Sequence, residues 1–400
     1  MDDRGIPQDH AEGGDFASLG LSAPLLKALR SLGFERPTPI QAAVIPHALA
    51  GRDVIGLAQT GSGKTAAFGL PLAERHQHGR GVRGLILSPT REIAIQTKDF
   101  LDILGRDHHL ETALLIGGVR IGPQFDALRG EPDLIVATPG RLLDHVERKT
   151  AKLQGICDLV LDEADHMLDL GFLPQIRRVL QALPEKRRTM MFSATLPPPI
   201  EGLVARFMRD PVRIDLLPAG RAAEGIDHRL YLVEEKDKKQ CLISLLAGDE
   251  GSTLVFLRRK IDAEWACRQL EIEGHPVERI HSDRSQSQRT AALDGFREGE
   301  HRVLVATDVA ARGIDIPRIE HIINFNPPQT VEDYIHRAGR TARGKLLGRV
   351  STIATWRDRA MIAQIEAALG KKLERHEAPG VAAYEEVSPS RRGRIRRRLL

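Results

Sequence analysis

Apolar runs of strand length alternate with amphipathic stretches of helix length through most of this chain, and no other feature of the sequence narrows the fold so far. From Asp53 the runs are DVIGLA, GLILSP, TALLIGG, DLIVATP, CDLVLDE, TMMFSAT and VRIDLL. Between them, stretches such as REIAIQTKDFLDILG and FLPQIRRVLQAL repeat apolar residues three or four apart, which gives a helix one buried face. Alternation of this kind predicts parallel sheets covered by helices. It pauses across LLPAGRAAEGID, Leu216 to Asp227, and restarts with STLVFLRRK, VERIHSD, HRVLVATD, HIINFN and GRVSTIAT. The expectation is two α/β domains, residues 15–216 and 228–370, with a flexible link at 217–227 and disordered segments at 1–14 and 371–400.

In the first series, DVIGLAQTGSGKTAAFGLPLAE reads as a strand, a glycine-bearing loop and a helix. Backbone N–H groups of Gly61, Ser62 and Gly63 can surround a phosphate at a helix N-terminus, where the helix dipole favours negative charge. Lys64 is placed to reach the β and γ phosphates, and Thr65 to offer its hydroxyl to Mg²⁺, as in a P-loop. The loop runs Ala58, Gln59, Thr60, Gly61, Ser62, Gly63, Lys64, Thr65, with Ala58 where the general pattern has its first glycine. CDLVLDEAD sets Asp162 and Glu163 at the end of an apolar strand. One carboxylate can hold Mg²⁺ through its water shell while the next orients or deprotonates the attacking water, so Asp162 is assigned to the metal and Glu163 to the water. Taken alone, such a pair is more often a solvated turn; the P-loop about a hundred residues upstream gives it a chemical reading. ATP with Mg²⁺ is the expected ligand and hydrolysis the expected reaction.

Charge divides unevenly along the chain. The last ten residues, RRGRIRRRLL, hold six arginines and no acids, while the other 390 carry 52 basic against 54 acidic groups. The tail reads equally as a solvated disordered segment or as a contact for nucleic acid or another anionic surface. An aromatic content of 4% argues against binding by many base-stacking platforms, so any nucleic acid is expected to be held by its backbone. Cys157, Cys241 and Cys267 lack the spacing of a disulfide framework or zinc site. No run approaches a membrane span, and MDDRGIPQDHAEGG is too polar for a signal peptide, so a cytoplasmic monomer with no membrane contact is expected.

With DEAD at 162–165 and an ordered series of motifs from about residue 16 to residue 370, the chain resembles the DEAD-box family of ATP-dependent RNA helicases, in particular its bacterial members. The resemblance implies two tandem RecA-like domains that close around ATP and single-stranded RNA. Phe16 and GFERPTPIQ are similar to the family's Q motif, in which Gln41 reads adenine, Phe34 stacks on the base, and Thr38 with Phe16 supports the pocket. A glutamine amide suits that task because it donates and accepts at once. PTREIAIQ, with Pro89, Thr90 and Arg91, then Gly117 and Gly118, then Thr138, Pro139, Gly140 and Arg141, resemble RNA-contacting motifs of the first domain. By that likeness the arginines meet phosphates and the glycines let backbone approach, contacts that position a strand without reading it. Ser193, Ala194 and Thr195 match the motif linking hydrolysis to strand separation, bonding toward Asp165. His166 stands where many relatives have arginine, which leaves a charge contact there absent or pH-dependent.

In the second domain, HRAGRTAR resembles the arginine-finger motif. It implies that Arg340 and Arg343 reach the γ-phosphate while His336 and Arg337 organise the cleft. ATDVAARGID implies an RNA phosphate contact from Thr307 and ribose contacts from Gly313 and Asp315, and Gln286 with Arg289 matches an RNA-binding pair. Phe256 reads as core packing. Preference for RNA over DNA comes from the resemblance alone.

Overall fold

The computed structural model describes residues 14–59, 61–76, 79, 81–216, 225–311, 319–341 and 348–381. Thr60, Gly313, Asp315, Arg343, most of the expected link and the arginine tail lie outside the described residues. The described residues form two compact units, the first ending at Leu216 and the second beginning at Gly225.

The first unit is built on β1 (Val54–Leu57), β2 (Gly84–Leu87), β3 (Thr112–Leu115), β4 (Leu134–Ala137), β5 (Asp158–Leu161), β6 (Arg188–Ser193) and β7 (Val212–Asp215). All pair in parallel, in the order β3-β4-β2-β5-β6-β1-β7. Val54, Ile86, Val136, Val160 and Phe192 pack on one face; Ile55, Leu85, Ile135, Leu159 and Met191 pack on the other. Both faces are covered, which is why these strands read as unbroken apolar runs. Prolines at Pro39, Pro139 and Pro198 open helices Pro39–Leu49, Pro139–Glu147 and Pro198–Phe207, where the missing N–H is no loss.

The second unit holds β8 (Ile226–Leu232), β9 (Thr253–Leu257), β10 (Val277–Ile280), β11 (Val303–Thr307), β12 (His321–Asn324), β13 (Gly348–Ala354) and β14 (Glu374–His376). Their order is β10-β11-β9-β12-β13-β8-β14, again parallel. Counted from its own first strand, this is the order of the first sheet. Each strand run read from the sequence is present, but two strands lie in stretches read otherwise. β8 begins at Ile226, inside the expected link, and β14 lies inside the expected disordered tail. β14 is an edge strand of three polar residues, fixed through Glu366, whose carboxylate takes Lys372 Nζ at 2.7 Å, Leu373 N at 3.1 Å and the Arg375 guanidinium. Among the described residues no helix is long and apolar enough to cross a membrane.

Because the strands are parallel, their carboxyl ends share one edge of each sheet. Pairing of Leu57 with Ser193, Leu87 with both Ala137 and Leu161, and Leu257 with Thr307 sets the following loops side by side. The opposite edge of the first sheet is tied by Asp158, which is 1% exposed and bonded to Arg188 Nε (2.6 Å), Arg75 Nη1 (3.1 Å) and His76 Nε2 (2.9 Å). Burial alone would raise this carboxyl, but the bonds from Arg188 and His76 outweigh it and hold it well below the usual carboxylate range.

Candidate functional site

The loop after β1 turns on glycines. Gly61 and Gly63 have φ of 82° and 93°, and Gly63 caps the helix Lys64–Arg75. A Cβ at Gly63 would strike the Gln41 amide and the Thr38 hydroxyl, so this loop and the start of helix Pro39–Leu49 fit only with glycine there. Gln41 Oε1 accepts from Thr38 N at 2.9 Å and Nε2 donates to Gly63 O at 3.1 Å. One proton and one lone pair of the amide remain, the pair an adenine edge requires. Lys64 is 7% exposed and donates to Ala58 O (2.7 Å) and Gln59 O (3.1 Å), folding back on its own loop. Ser62 Oγ and Thr38 Oγ1 are buried with no hydrogen-bond partner among the described residues, a marker of a site built for a polar ligand. Phe34 is half-open beside Phe100, with ring centroids 6.2 Å apart, whereas Phe16 is buried in the core.

Next to the loop, β5 delivers the acidic pair. Asp162 N donates to Leu87 O (2.9 Å), and the Asp162 side chain is buried. Burial, then repulsion from Glu163, outweighs the pull of Lys64 and drives its carboxyl well above the ordinary range. A divalent cation would relieve that energy, and the donors available, a carboxylate and the Thr65 hydroxyl, are the oxygen ligands Mg²⁺ prefers, so the residues fit the ion. Glu163 caps the helix Ala164–Asp169 from a left-handed backbone, φ 49° and ψ 58°. Asp165 Oδ2 accepts from Ala194 N (3.0 Å), Thr195 N (2.8 Å) and Thr195 Oγ1 (3.0 Å), while Ser193 Oγ accepts from Asp165 N (3.2 Å). Four hydrogen bonds thus tie the acidic loop to the Ser-Ala-Thr loop.

Farther along the same edge, Thr90 caps the helix Arg91–Gly105, its Oγ1 accepting from Ile93 N at 3.3 Å, and Thr138 and Pro139 start the helix that carries Gly140 and Arg141. Arg91 lies against Gly117 and Gly118, whose missing side chain makes room for its guanidinium. Arg141 bonds Val119 O (3.3 Å) and keeps Nη1 buried without a partner among the described residues. Burial disfavours its charge, Asp144 opposes that effect, and Arg91 adds to it. Two mutually repelling guanidiniums with an unsatisfied donor mark a place for an anion. Gln124 and His145, not singled out from sequence, brace this loop: Gln124 Nε2 donates to Ile116 O (3.1 Å) and its Oε1 lies 3.2 Å from His145 Nε2.

In the second unit, Ser285 caps the helix Gln286–Glu298, and Arg289 Nη2 reaches Ala310 O at 3.5 Å, joining the Gln286/Arg289 pair to the helix that follows Thr307. Arg337 is clamped: Nε and Nη2 bond the two Asp308 oxygens (2.6 and 2.7 Å), and Nη1 bonds Asn324 Oδ1 (2.8 Å) and Asn326 O (3.0 Å). Its guanidinium carbon sits 4.8 Å from the Phe256 ring centroid, so Phe256 is more than core packing; it forms a cation–π floor for Arg337. Asp308, Asn324 and Asn326 carry no sequence signal of this. His336 lies in the last turn of the same helix, Val331–Ala338, and Arg340 follows that helix, 5% exposed.

Two constellations imitate active sites. Ser351 Oγ lies 2.8 Å from His321 Nε2, and His321 Nδ1 bonds Asp249, the order of a hydrolytic triad, but Ser351 is fully buried. His76, Cys157 and Asp158 bring three metal-type ligand atoms within 4.8 Å, yet the Asp158 charge belongs to Arg75 and Arg188.

Residues 38–203 match the DEAD/DEAH box helicase family and residues 237–345 the helicase conserved C-terminal domain. The chain is 43% identical to the DEAD-box ATP-dependent RNA helicase CshA of Bacillus cereus, over 91% of this chain and 70% of that protein. Identity to the Bacillus subtilis protein of the same name is 41%, over 91% of this chain and 74% of that one. Among solved structures, S. cerevisiae Dbp5 bound to RNA and ADP BeF3 matches with a TM-score of 0.82 at 31% identity, covering 91% of this chain and 95% of that chain. A DEAD box protein from the hyperthermophile Methanococcus jannaschii matches with a TM-score of 0.54 at 37% identity, covering 90% and 99%.

Proposed function

This chain belongs to the DEAD-box family of ATP-dependent RNA helicases, with two tandem RecA-like domains, and from that premise we propose how its own residues divide the work. Gln41 matches the adenine edge and Phe34 offers a ring face to the base. Backbone N–H groups of residues 60–65 and the Lys64 ammonium hold the phosphates, which requires Lys64 to leave the carbonyls of Ala58 and Gln59. Thr65 and Asp162 would hold Mg²⁺, largely through water, and the ion would supply positive charge to offset that of the phosphates. Glu163 takes a proton from the attacking water as its oxygen bonds the γ-phosphorus and the bond to ADP breaks. Arg340 and Arg343 balance the charge that builds, so turnover depends on the second unit. Arg91, Gly118, Arg141, Gln286, Arg289 and Thr307 grip the sugar-phosphate backbone of RNA, leaving sequence unread.

The observation that carries this reading is the bonding of Asp165, two residues after Glu163, to both Ala194 and Thr195. It ties the acidic loop to the end of the adjacent strand β6, so a change at one is felt at the other. ATP turnover measured with RNA and with matched DNA tests it. Stimulation by RNA alone is expected; equal stimulation by both would overturn RNA as the partner. The arginines of residues 391–400 add phosphate contacts, so deleting them is expected to weaken RNA binding and flatten its salt dependence while strand separation survives. A single chain working in the cytoplasm suffices for this scheme.

A further inference from the structure

One buried ring beside the proposed base has no part in the scheme above. His166, 4% exposed, lies in the helix Ala164–Asp169 with Nδ1 3.0 Å from Glu163 Oε2. Its backbone N–H donates to Asp165 Oδ1 at 2.9 Å, so the main chain at His166 is anchored to the carboxylate that also holds Thr195. Nε2 is buried with no hydrogen-bond partner among the described residues. A neutral imidazole has one N–H to place. On Nε2 the proton would be an orphaned buried donor, and the bare Nδ1 lone pair would face a carboxylate oxygen. On Nδ1 it makes a charge-assisted hydrogen bond and leaves only an acceptor unfilled, the lesser cost.

We propose that His166 is a positioning residue for hydrolysis: its Nδ1–H holds Glu163 Oε2 and so fixes the carboxylate in the orientation that receives the proton of the attacking water. The inference rests on Glu163 being that base. A glutamate side chain has three rotatable bonds, and here it leaves a left-handed backbone, φ 49°, where few rotamers are shared with an ordinary helix start. A tether one turn along is the direct means of holding it. The link requires an N–H donor at one geometric position, which separates it from a charge contact made by arginine.

Three variants of the full chain test this. Asparagine places its amide nitrogen as many bonds from Cα as Nδ1, and glutamine reaches the place of Nε2. His166→Ala is expected to lower RNA-stimulated kcat roughly 10- to 100-fold, with KM for ATP and RNA affinity changed by less than about 2-fold. His166→Asn restores most of the rate and His166→Gln does not. In parallel, long-range ¹H–¹⁵N spectra of histidine-labelled wild-type protein without nucleotide are expected to report the Nδ1–H tautomer for His166. An unchanged kcat in His166→Ala, rescue by glutamine rather than asparagine, or an Nε2–H tautomer overturns the proposal, and the spectrum decides even where a variant fails to fold. Glu163→Gln separates the two readings. If that variant turns over normally, the base assignment fails and this inference with it; if it is inactive while His166→Ala is normal, only the tether is lost.

Discussion

The two units repeat one strand order and put different chemistry on it. After the first strand of the first sheet comes a loop of glycines leading into the helix that begins at Lys64; after the first strand of the second comes Val233-Glu234-Glu235-Lys236-Asp237, leading into the helix that begins at Lys238. Both lysines are buried at the first residue of their helices. Lys64 donates to loop carbonyls, whereas Lys238 lies 4.0 Å from Glu235 and 5.5 Å above the Phe325 ring, and burial pulls its pKa down. After the fifth strand the first unit presents Asp162 and Glu163, and the second Phe325 and Asn326. The same frame therefore carries a glycine loop with acids in one copy and a clamped arginine in the other. Fold fixes where such groups stand; the loop residues decide what they do.

The strongest way to break this division is Glu163→Gln, which is expected to keep ATP and RNA binding and lose about 10² to 10⁴ in turnover. Normal turnover measured by phosphate release would remove the chemistry from the first unit. Next in size is Asp158→Asn, which leaves Arg75 and Arg188 facing a neutral group and is expected to cost the first unit about 3–5 kcal/mol in urea or thermal unfolding. The sign with pH follows from the depressed carboxyl. Its contribution is present above the unfolded value near about 3.9 and is lost as pH falls toward the folded value, so the deficit of the variant is expected to shrink below about pH 4. An effect on the second unit's transition of the same size would deny that the units are separate.

A paired test of the two lysines comes third. Lys64→Ala is expected to weaken nucleotide binding at least about 10-fold, while Lys238→Met, which keeps the volume and removes a buried charge, leaves it unchanged and is stability-neutral or better. Loss of ATP binding in Lys238→Met, read by calorimetry, would erase the distinction between the loops. The smallest effect is expected from Phe256→Leu, which removes the floor under Arg337. About 1 kcal/mol of cation–π energy, roughly fivefold in RNA-stimulated rate, should go with nucleotide affinity unchanged.

Much of this was legible in sequence because the signals are local. The glycines, Lys64 and Thr65 lie within one loop segment, the acids end one apolar run, and twelve of the fourteen strands, all but β8 and β14, coincide with apolar runs read from the sequence. β8 escaped because IDHRLYL mixes polar and apolar residues beside a glycine-rich stretch, and β14 because its hold is ionic, through Glu366. The groups that brace the sites were not legible for a different reason. Gln124 and His145 meet across 21 positions, Arg337 and Asp308 across 29, and Phe256 meets Arg337 only through the packing of separate elements. His166 carried a pattern departure but no direction; only its ring geometry shows which atom it serves.

The bond from Gln41 to the Gly63 carbonyl spans 22 positions and joins the segment proposed to recognise the base to the loop proposed to hold the phosphates. In engineering terms the transferable cassette is longer than the glycine loop. A graft of residues 58–65 in place of the loop after β8 would bring the glycine loop without the amide that stops it or the proposed reader of the base. Moving residues 38–65 together would carry all three, so under the proposed roles the unit of nucleotide choice is a helix, a strand and a loop held by one amide.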